Sequence, residues 1–214
     1  MTRSRKTLLS ALVLASLFLP FGCSLPRIII LNDPLSAQEH HALCTIYESQ
    51  HKYDLAREQC RASLRKNPKY TPSLLLLGDL SYRLKDYKEA EAAYDSALEL
   101  QPENGDIYNN LCWVYIERRT GLRKAEGLIR KAITLTPAHK PNYLDTLGVV
   151  LLRLGKTAES ITALKESVDT LPGEKLEFLA EAHGHLAEAY REMGNEDKSR
   201  ESEEQKNNLL KSSR

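Results

Sequence analysis

The chain has 214 residues, of which 42% are hydrophobic and only 7% aromatic, with 30 basic against 29 acidic side chains. Its abundant Ala, Leu, Glu, Lys and Arg are strong helix formers and favour an all-helical protein. Arg3, Arg5 and Lys6 fall in a segment expected to be removed, leaving 27 basic and 29 acidic residues, a balance with no electrostatic footprint for nucleic acid.

Residues 1–22 read as an export signal. The basic stretch precedes an apolar run from Leu8 to Phe21, whose length fits the apolar core of a signal peptide. At about 1.5 Å rise per residue this run falls short of a ~30 Å hydrocarbon layer, so it is not expected to span a membrane. It ends in Leu19-Pro20-Phe21-Gly22-Cys23-Ser24. The Gly22-Cys23 junction resembles a bacterial lipobox, although Pro20 stands where that family usually has Leu. The resemblance implies diacylglycerol on Cys23, a tether over residues 23–35 and a periplasmic location. Ser24 resembles the residue of lipoproteins sorted to the outer membrane rather than the inner one. The alternative is an ordinary secretory signal with an incidental Cys. Leaving Ile28-Ile29-Ile30-Leu31 in water is costly, at ~25 cal/mol per Å². This part of the Ser24–Asn32 segment is expected to fold over the end of the first repeat, or else to give a partner an extended strand.

From Ser36 onward the chain is periodic. Pro68, Pro102, Pro137 and Pro172 are separated by 34, 35 and 35 residues. Upstream of them recur Ala56, Cys60, Ser63; Ala90, Tyr94, Ala97; Ala125, Ile129, Ala132; and Ser160, Leu164, Ser167, at constant offsets. Each preceding half pairs a large apolar residue with a small one: Leu43-Cys44, Leu77-Gly78, Leu111-Cys112, Leu147-Gly148 and Leu186-Ala187. This pattern resembles the tetratricopeptide repeat. The resemblance implies an all-α, right-handed superhelical solenoid of about five helix-turn-helix repeats, over 36–70, 71–104, 105–140, 141–173 and 174–211. The last is degenerate and ends in a capping helix.

The residue types have physical reasons. Small residues let two helix axes approach, and Pro stops each second helix because it lacks a backbone donor. Ser36 and Glu39 form a capping box that starts the first helix at Ala37. The turns are assigned to Asp86, Gly121, Gly155 and Gly194. An extra residue near Arg118–Gly121 lengthens the third internal turn, and the link after Pro137 is longer by one. Residues 173–181 are expected to extend the next helix at its N-terminus. The charged run Lys198–Glu204 suits a solvated cap, which solenoids need.

No GxSxG, phosphate-binding glycine loop, HExxH or paired CxxC is present. His183 and His185, two apart on a helix, diverge, and His40 and Cys44 are expected to face the partner helix. Neither an enzyme, a cofactor, a metal nor a small-molecule substrate is expected. Cys112 takes a small-residue packing position. Cys44 and Cys60 lie level across the first hairpin and either form a disulfide or pack as small hydrophobes.

The tetratricopeptide resemblance implies that the first helix of each repeat lines a concave groove. By register this places Leu75, Asp79, Tyr82 and Arg83 there from the second repeat. Asp106, Asn109, Asn110, Trp113, Ile116 and Glu117 come from the third, Asn142, Asp145, Val149, Leu152 and Arg153 from the fourth, and Glu188, Arg191 and Glu192 from the fifth. Leu75, Tyr82, Trp113, Ile116, Val149 and Leu152 are expected to form an exposed apolar strip, with Trp113 between Leu75 or Asp79 and Val149. The alternative is that some of them, Ile116 and Leu152 above all, wedge between repeats. A carboxylate clamp of the chaperone-adaptor kind lacks its cations, since His41, Thr45, Leu76, Asp106 and Asn110 stand in those places. The chain resembles pilotin-type and other repeat lipoproteins, which implies a scaffold holding an envelope protein or peptide in its groove. The alternative is an accessory subunit that positions or regulates a peptidase or other envelope enzyme.

Overall fold

The computed structural model describes residues 33–213; the signal, Cys23 and the Ser24–Asn32 segment lie outside them. Ten α-helices among the described residues form five antiparallel hairpins. They are α1 (Ala37–Ser49) with α2 (Tyr53–Lys66), α3 (Thr71–Arg83) with α4 (Tyr87–Leu100), and α5 (Gly105–Arg118) with α6 (Leu122–Leu135). The last two pair α7 (Lys140–Arg153) with α8 (Thr157–Thr170), and α9 (Leu176–Glu192) with α10 (Glu196–Ser212). Each helix packs on the next, and each first helix also packs on the first helix of the following repeat. The result is a solenoid whose odd-numbered helices lie side by side.

The capping box starts α1: Ser36 Oγ accepts from the Glu39 amide at 3.2 Å, and Glu39 Oε2 accepts from the Ser36 amide at 2.8 Å. The second helices stop just before Pro68, Pro102, Pro137 and Pro172, because the residue preceding Pro is driven out of the helical region. Close approach inside the hairpins is tight. A Cβ on Gly78 would lie 2.4 Å from Tyr94 Cε1, and one on Gly148 would lie 2.4 Å from Leu164 Cγ.

Serine at the small positions has a role beyond size. Ser160 Oγ donates to the Gly148 carbonyl at 2.7 Å, Ser199 to Ala187 at 2.9 Å, Ser63 to Ala37 at 2.7 Å and Ser167 to Pro141 at 2.8 Å. Each reaches the backbone of the facing helix, which only a short side chain between close axes can do. A bond of this kind contributes about 1 kcal/mol net.

Asp86, Gly121, Gly155 and Gly194 all lie in the turns between paired helices. In the second repeat the left-handed residue is Lys85, at φ 62°, while Asp86 caps α4 by accepting from the Glu89 amide at 3.2 Å. His51, Arg119, Gly155 and Gly194 hold the equivalent left-handed places. In the third hairpin Gly121 adds a second one at φ 69°, which takes up the extra residue, while the Thr120 amide keeps the turn bond to the Tyr115 carbonyl at 3.3 Å. A 3₁₀ turn at Pro137–His139 absorbs the longer link. Helix α9 starts at Leu176 and runs for 17 residues, and the buried residues of α10 are two serines, Ser199 and Ser202.

The largest apolar cluster spans the second to fourth repeats, around Ile107, Leu111, Val114, Ile129, Val150 and Leu151. Burying each such side chain contributes about 1.5–3 kcal/mol. A smaller cluster between the first and second hairpins joins Ala56 and the bonded pair Cys44–Cys60, whose Cα atoms are 5.4 Å apart, to Leu77 and Leu80. His40 is buried beside them, and its Nδ1 lies 2.9 Å from Gln59 Oε1. Cys112 is a buried free thiol that donates to the Ala125 carbonyl, and burial pushes it up to about 12.

Candidate functional site: the groove of the first helices

Helices α3, α5, α7 and α9 present their outward faces to one groove, but the expected continuous apolar strip is not what they build. Ile116, Val149 and Leu152 are 5%, 2% and 7% exposed. Successive first helices pack directly on one another here, so these side chains fall into the creases between them. Ile116 and Val149 join the main core, while Leu152 packs with Leu164, Leu186 and Tyr190 of the neighbouring helices. Leu75, Tyr82, Asn109, Asn110 and Trp113 remain half-buried, and Asp79 and Asp106 are exposed. The groove is therefore aromatic and acidic rather than aliphatic.

Its carboxylates are held from several sides. Tyr94, in the core face of α4, donates its hydroxyl to Asp79 Oδ1 at 2.6 Å, and Asn110 Nδ2 donates to the same oxygen at 3.3 Å. The Tyr94 ring reaches across α3 only because Gly78 has no side chain to block it. Although the residue as a whole is exposed, desolvation of the Asp79 carboxyl among the groove walls raises it above its ordinary value against the Tyr94 bond and the Arg83 charge, and Glu48 raises it further. One repeat on, Tyr143 donates to Asp106 Oδ1 at 2.7 Å, and His139 Nδ1 lies 2.9 Å from the same oxygen. Asp145 is half-buried, with both oxygens on His185 Nδ1 at 2.9 and 3.0 Å. Burial works to lower the His185 pKa, but Asp145, with the fields of Glu181 and Glu188, outweighs it and the net shift is upward.

Trp113 stands between two hollows. On one side a cavity of about 490 Å³ is lined by Glu48, Asp79, Tyr82, Arg83, Asn110 and Trp113, among others. On the other a cavity of about 130 Å³ includes Asp106, Asn109, Asp145, Phe178 and Glu181 with the same indole. The expected neighbour Asp79 thus shares a cavity with Trp113. Val149 does not stand on its far side as a groove residue; the His185 ring does, with centroids 6.0 Å apart.

Glu48, Tyr94, Phe178, Glu181 and His185 were not predicted as groove residues. Glu48 stands at the register position of Tyr82, and Glu181 at that of Asp106, so the repeat could have identified both. Nothing in the spacing links His185 to Asp145, 40 residues away. Among the described residues no helix is long and apolar enough to cross a membrane, and no group of three His, Cys, Asp or Glu side chains is placed to hold a metal.

Residues 42–105 match the family model for the tetratricopeptide repeat. The chain is 38% identical over 117 residues to protein O-mannosyl-transferase Tmtc3 of Drosophila melanogaster, which covers 54% of this chain and 12% of that protein. It is 26% identical over 143 residues to tetratricopeptide repeat-containing protein trd-1 of Caenorhabditis elegans, 67% of this chain and 18% of that one. The chain thus spans less than a fifth of these relatives' length. Among solved structures it is similar to PilW, described as a widely conserved type IV pilus biogenesis factor. That match has TM-score 0.72 and 18% identity, over 82% of this chain and 78% of the other. It is also similar to YrrB, described as a tetratricopeptide protein with an unusual peptide-binding site, at TM-score 0.60 and 18% identity, over 81% and 86% of the two chains. Residues 42–105 thus carry a tetratricopeptide-repeat match, and the all-helical fold is that of tetratricopeptide solenoids along about four-fifths of the chain.

Proposed function

We infer that this protein is an exported, lipid-anchored scaffold that holds a segment of a cell-envelope protein in the groove of its first helices. The observation that carries the binding role is the open stretch around Tyr82 and Trp113. There a half-buried aromatic pair and fixed polar groups border a cavity deep enough for side chains, the usual make-up of an interface anchor. Export is supported by the Gly22-Cys23 junction after a short apolar run. The Cys44–Cys60 bridge supports it as well, since disulfides persist in oxidising compartments. The likeness to PilW favours a role in pilus, secretion or wall-related assembly at the outer membrane.

The test is made in cells. Wild-type protein should incorporate radiolabelled fatty acid, fractionate with membranes and run faster on a non-reducing gel than after reduction. Cys23→Ala should lose the label and accumulate as precursor. Detergent-solubilised wild type should copurify an envelope protein that Tyr82→Ala captures at least tenfold less well. Unlabelled, soluble wild type with free thiols at Cys44 and Cys60 would contradict the anchored, exported reading.

A further inference from the structure

The open half of the groove is specific in its chemistry, beyond being a place for a peptide. Asp79 Oδ1 takes both hydrogen bonds from Tyr94 and Asn110, which fix the carboxylate. Its Oδ2 has no hydrogen-bond partner among the described residues. Glu48 lines the same cavity and makes no ion pair among them. The fields of Glu117 and Glu181 reach the Tyr82 hydroxyl and, with burial first, push it up to about 12. Carboxylates therefore converge on one aromatic pair from α1, α3, α5 and α9.

Arg83 is a cation that lines this cavity, and its field lowers the Asp79 pKa, but its guanidinium is already engaged at the wall. Arg83 stacks on Tyr53 with its Cζ 4.9 Å from the ring centroid, and donates to the Tyr53 hydroxyl at 3.4 Å. His185, the other nearby cationic group, is occupied by Asp145. Across the indole, the smaller cavity holds a further unmet demand: Asn109 Oδ1 is buried without a donor. A backbone amide of a chain crossing Trp113 is a donor of the right kind.

We propose that this groove binds an extended basic segment of a protein partner, with an arginine or lysine side chain laid against Tyr82 and Trp113 and its charge held by Asp79 and Glu48. Aromatic faces attract such cations, and a guanidinium matches a carboxylate whose second oxygen is free. The elongated groove, continuing past Trp113 to the Asn109 acceptor, selects a chain over a small polycation. This rests on the groove-binding reading above and gives that reading a charge.

The test uses the full chain in mild detergent and three flexible nonapeptides in a Gly-Ser frame, carrying three arginines, three glutamines or three glutamates. Trp113 emission and peptide anisotropy report binding, and spermidine serves as the competing small cation. The arginine peptide should bind and shift the emission, and the other two should bind at least tenfold more weakly. Binding should weaken as salt rises from about 20 to about 150 mM, because exposed charges are then screened. Asp79→Asn should weaken it about tenfold and Tyr94→Phe about threefold, with unfolding curves confirming that both variants fold. Equal binding of the glutamine peptide would overturn the charge assignment while leaving the groove reading intact. Spermidine binding in place of the peptide would overturn the choice of occupant. Failure of all three peptides would overturn both readings, and unchanged affinity in folded Asp79→Asn would remove the proposed anchor.

Discussion

The second repeat and the fourth place their first helices in the same groove and use the same register positions for opposite ends. Where the second repeat has Asp79 and Tyr82, the fourth has Val149 and Leu152. Asp79 is exposed and Tyr82 half-buried, whereas Val149 and Leu152 are sealed between helices. At these two register positions the groove is thus open in the second repeat and filled by packing in the fourth. Register assigns a residue to a helix face; the size and polarity of its side chain, with the next helix laid over it, decide whether solvent or a partner ever meets it.

The sharpest way to break this comparison is truncation on both sides of it. Leu152→Ala should cost about 2–5 kcal/mol of stability, as for other buried leucines, and leave partner capture by the folded fraction unchanged. Tyr82→Ala should do the reverse. Urea unfolding alongside capture assays checks both, and equal stability losses would mean that the two halves are equally packed.

A smaller effect tests how the open half is built. Gly78→Ala places a methyl against a Tyr94 ring that is 2% exposed and tied by its hydroxyl. Overpacking of this kind should cost about 1–3 kcal/mol. Gly127, in the middle of α6, meets nothing within 4 Å and is exposed, so Gly127→Ala should instead stabilise by about 0.5–1 kcal/mol. Thermal melts of the two variants should move in opposite directions.

Much of the fold was legible because its causes are local. The stopping prolines, the small residues at the helix crossings and the Ser36–Glu39 cap each act within one hairpin. The left-handed turn residues were less so, because His51, Lys85 and Arg119 carry no glycine signal for their positive φ. The site was legible as a face and not as a surface. Gly78 and Tyr94 are legible separately, as a small and a large repeat position, but that the phenol passes Gly78 and emerges on the far side to hold Asp79 depends on where the ring tip ends. The burial of Ile116, Val149 and Leu152 depends on the angle between successive repeats, which no spacing within a repeat encodes.

The smallest expected effect is a titration that joins the two halves. Folding raises the pKa of His185 above its ordinary value. Its ion pair with Asp145 therefore contributes fully below the unfolded imidazole value of about 6.5 and fades as pH rises through the folded value. Melting temperature should fall modestly from pH 6 to pH 8, and Asp145→Asn should flatten that slope. Trp113 emission should rise over the same window as the neighbouring imidazolium loses its proton.

Because Trp113 is the sole tryptophan of the chain, its emission tests the central claim, an open and occupied N-terminal groove, most directly. In the free protein the indole should emit at a red-shifted wavelength and be quenched by acrylamide. Binding of the partner segment should shift the emission to the blue and protect it from quencher, and Tyr82→Ala should abolish that protection. Blue, unquenchable emission in the free protein would place Trp113 in the core and contradict the open groove.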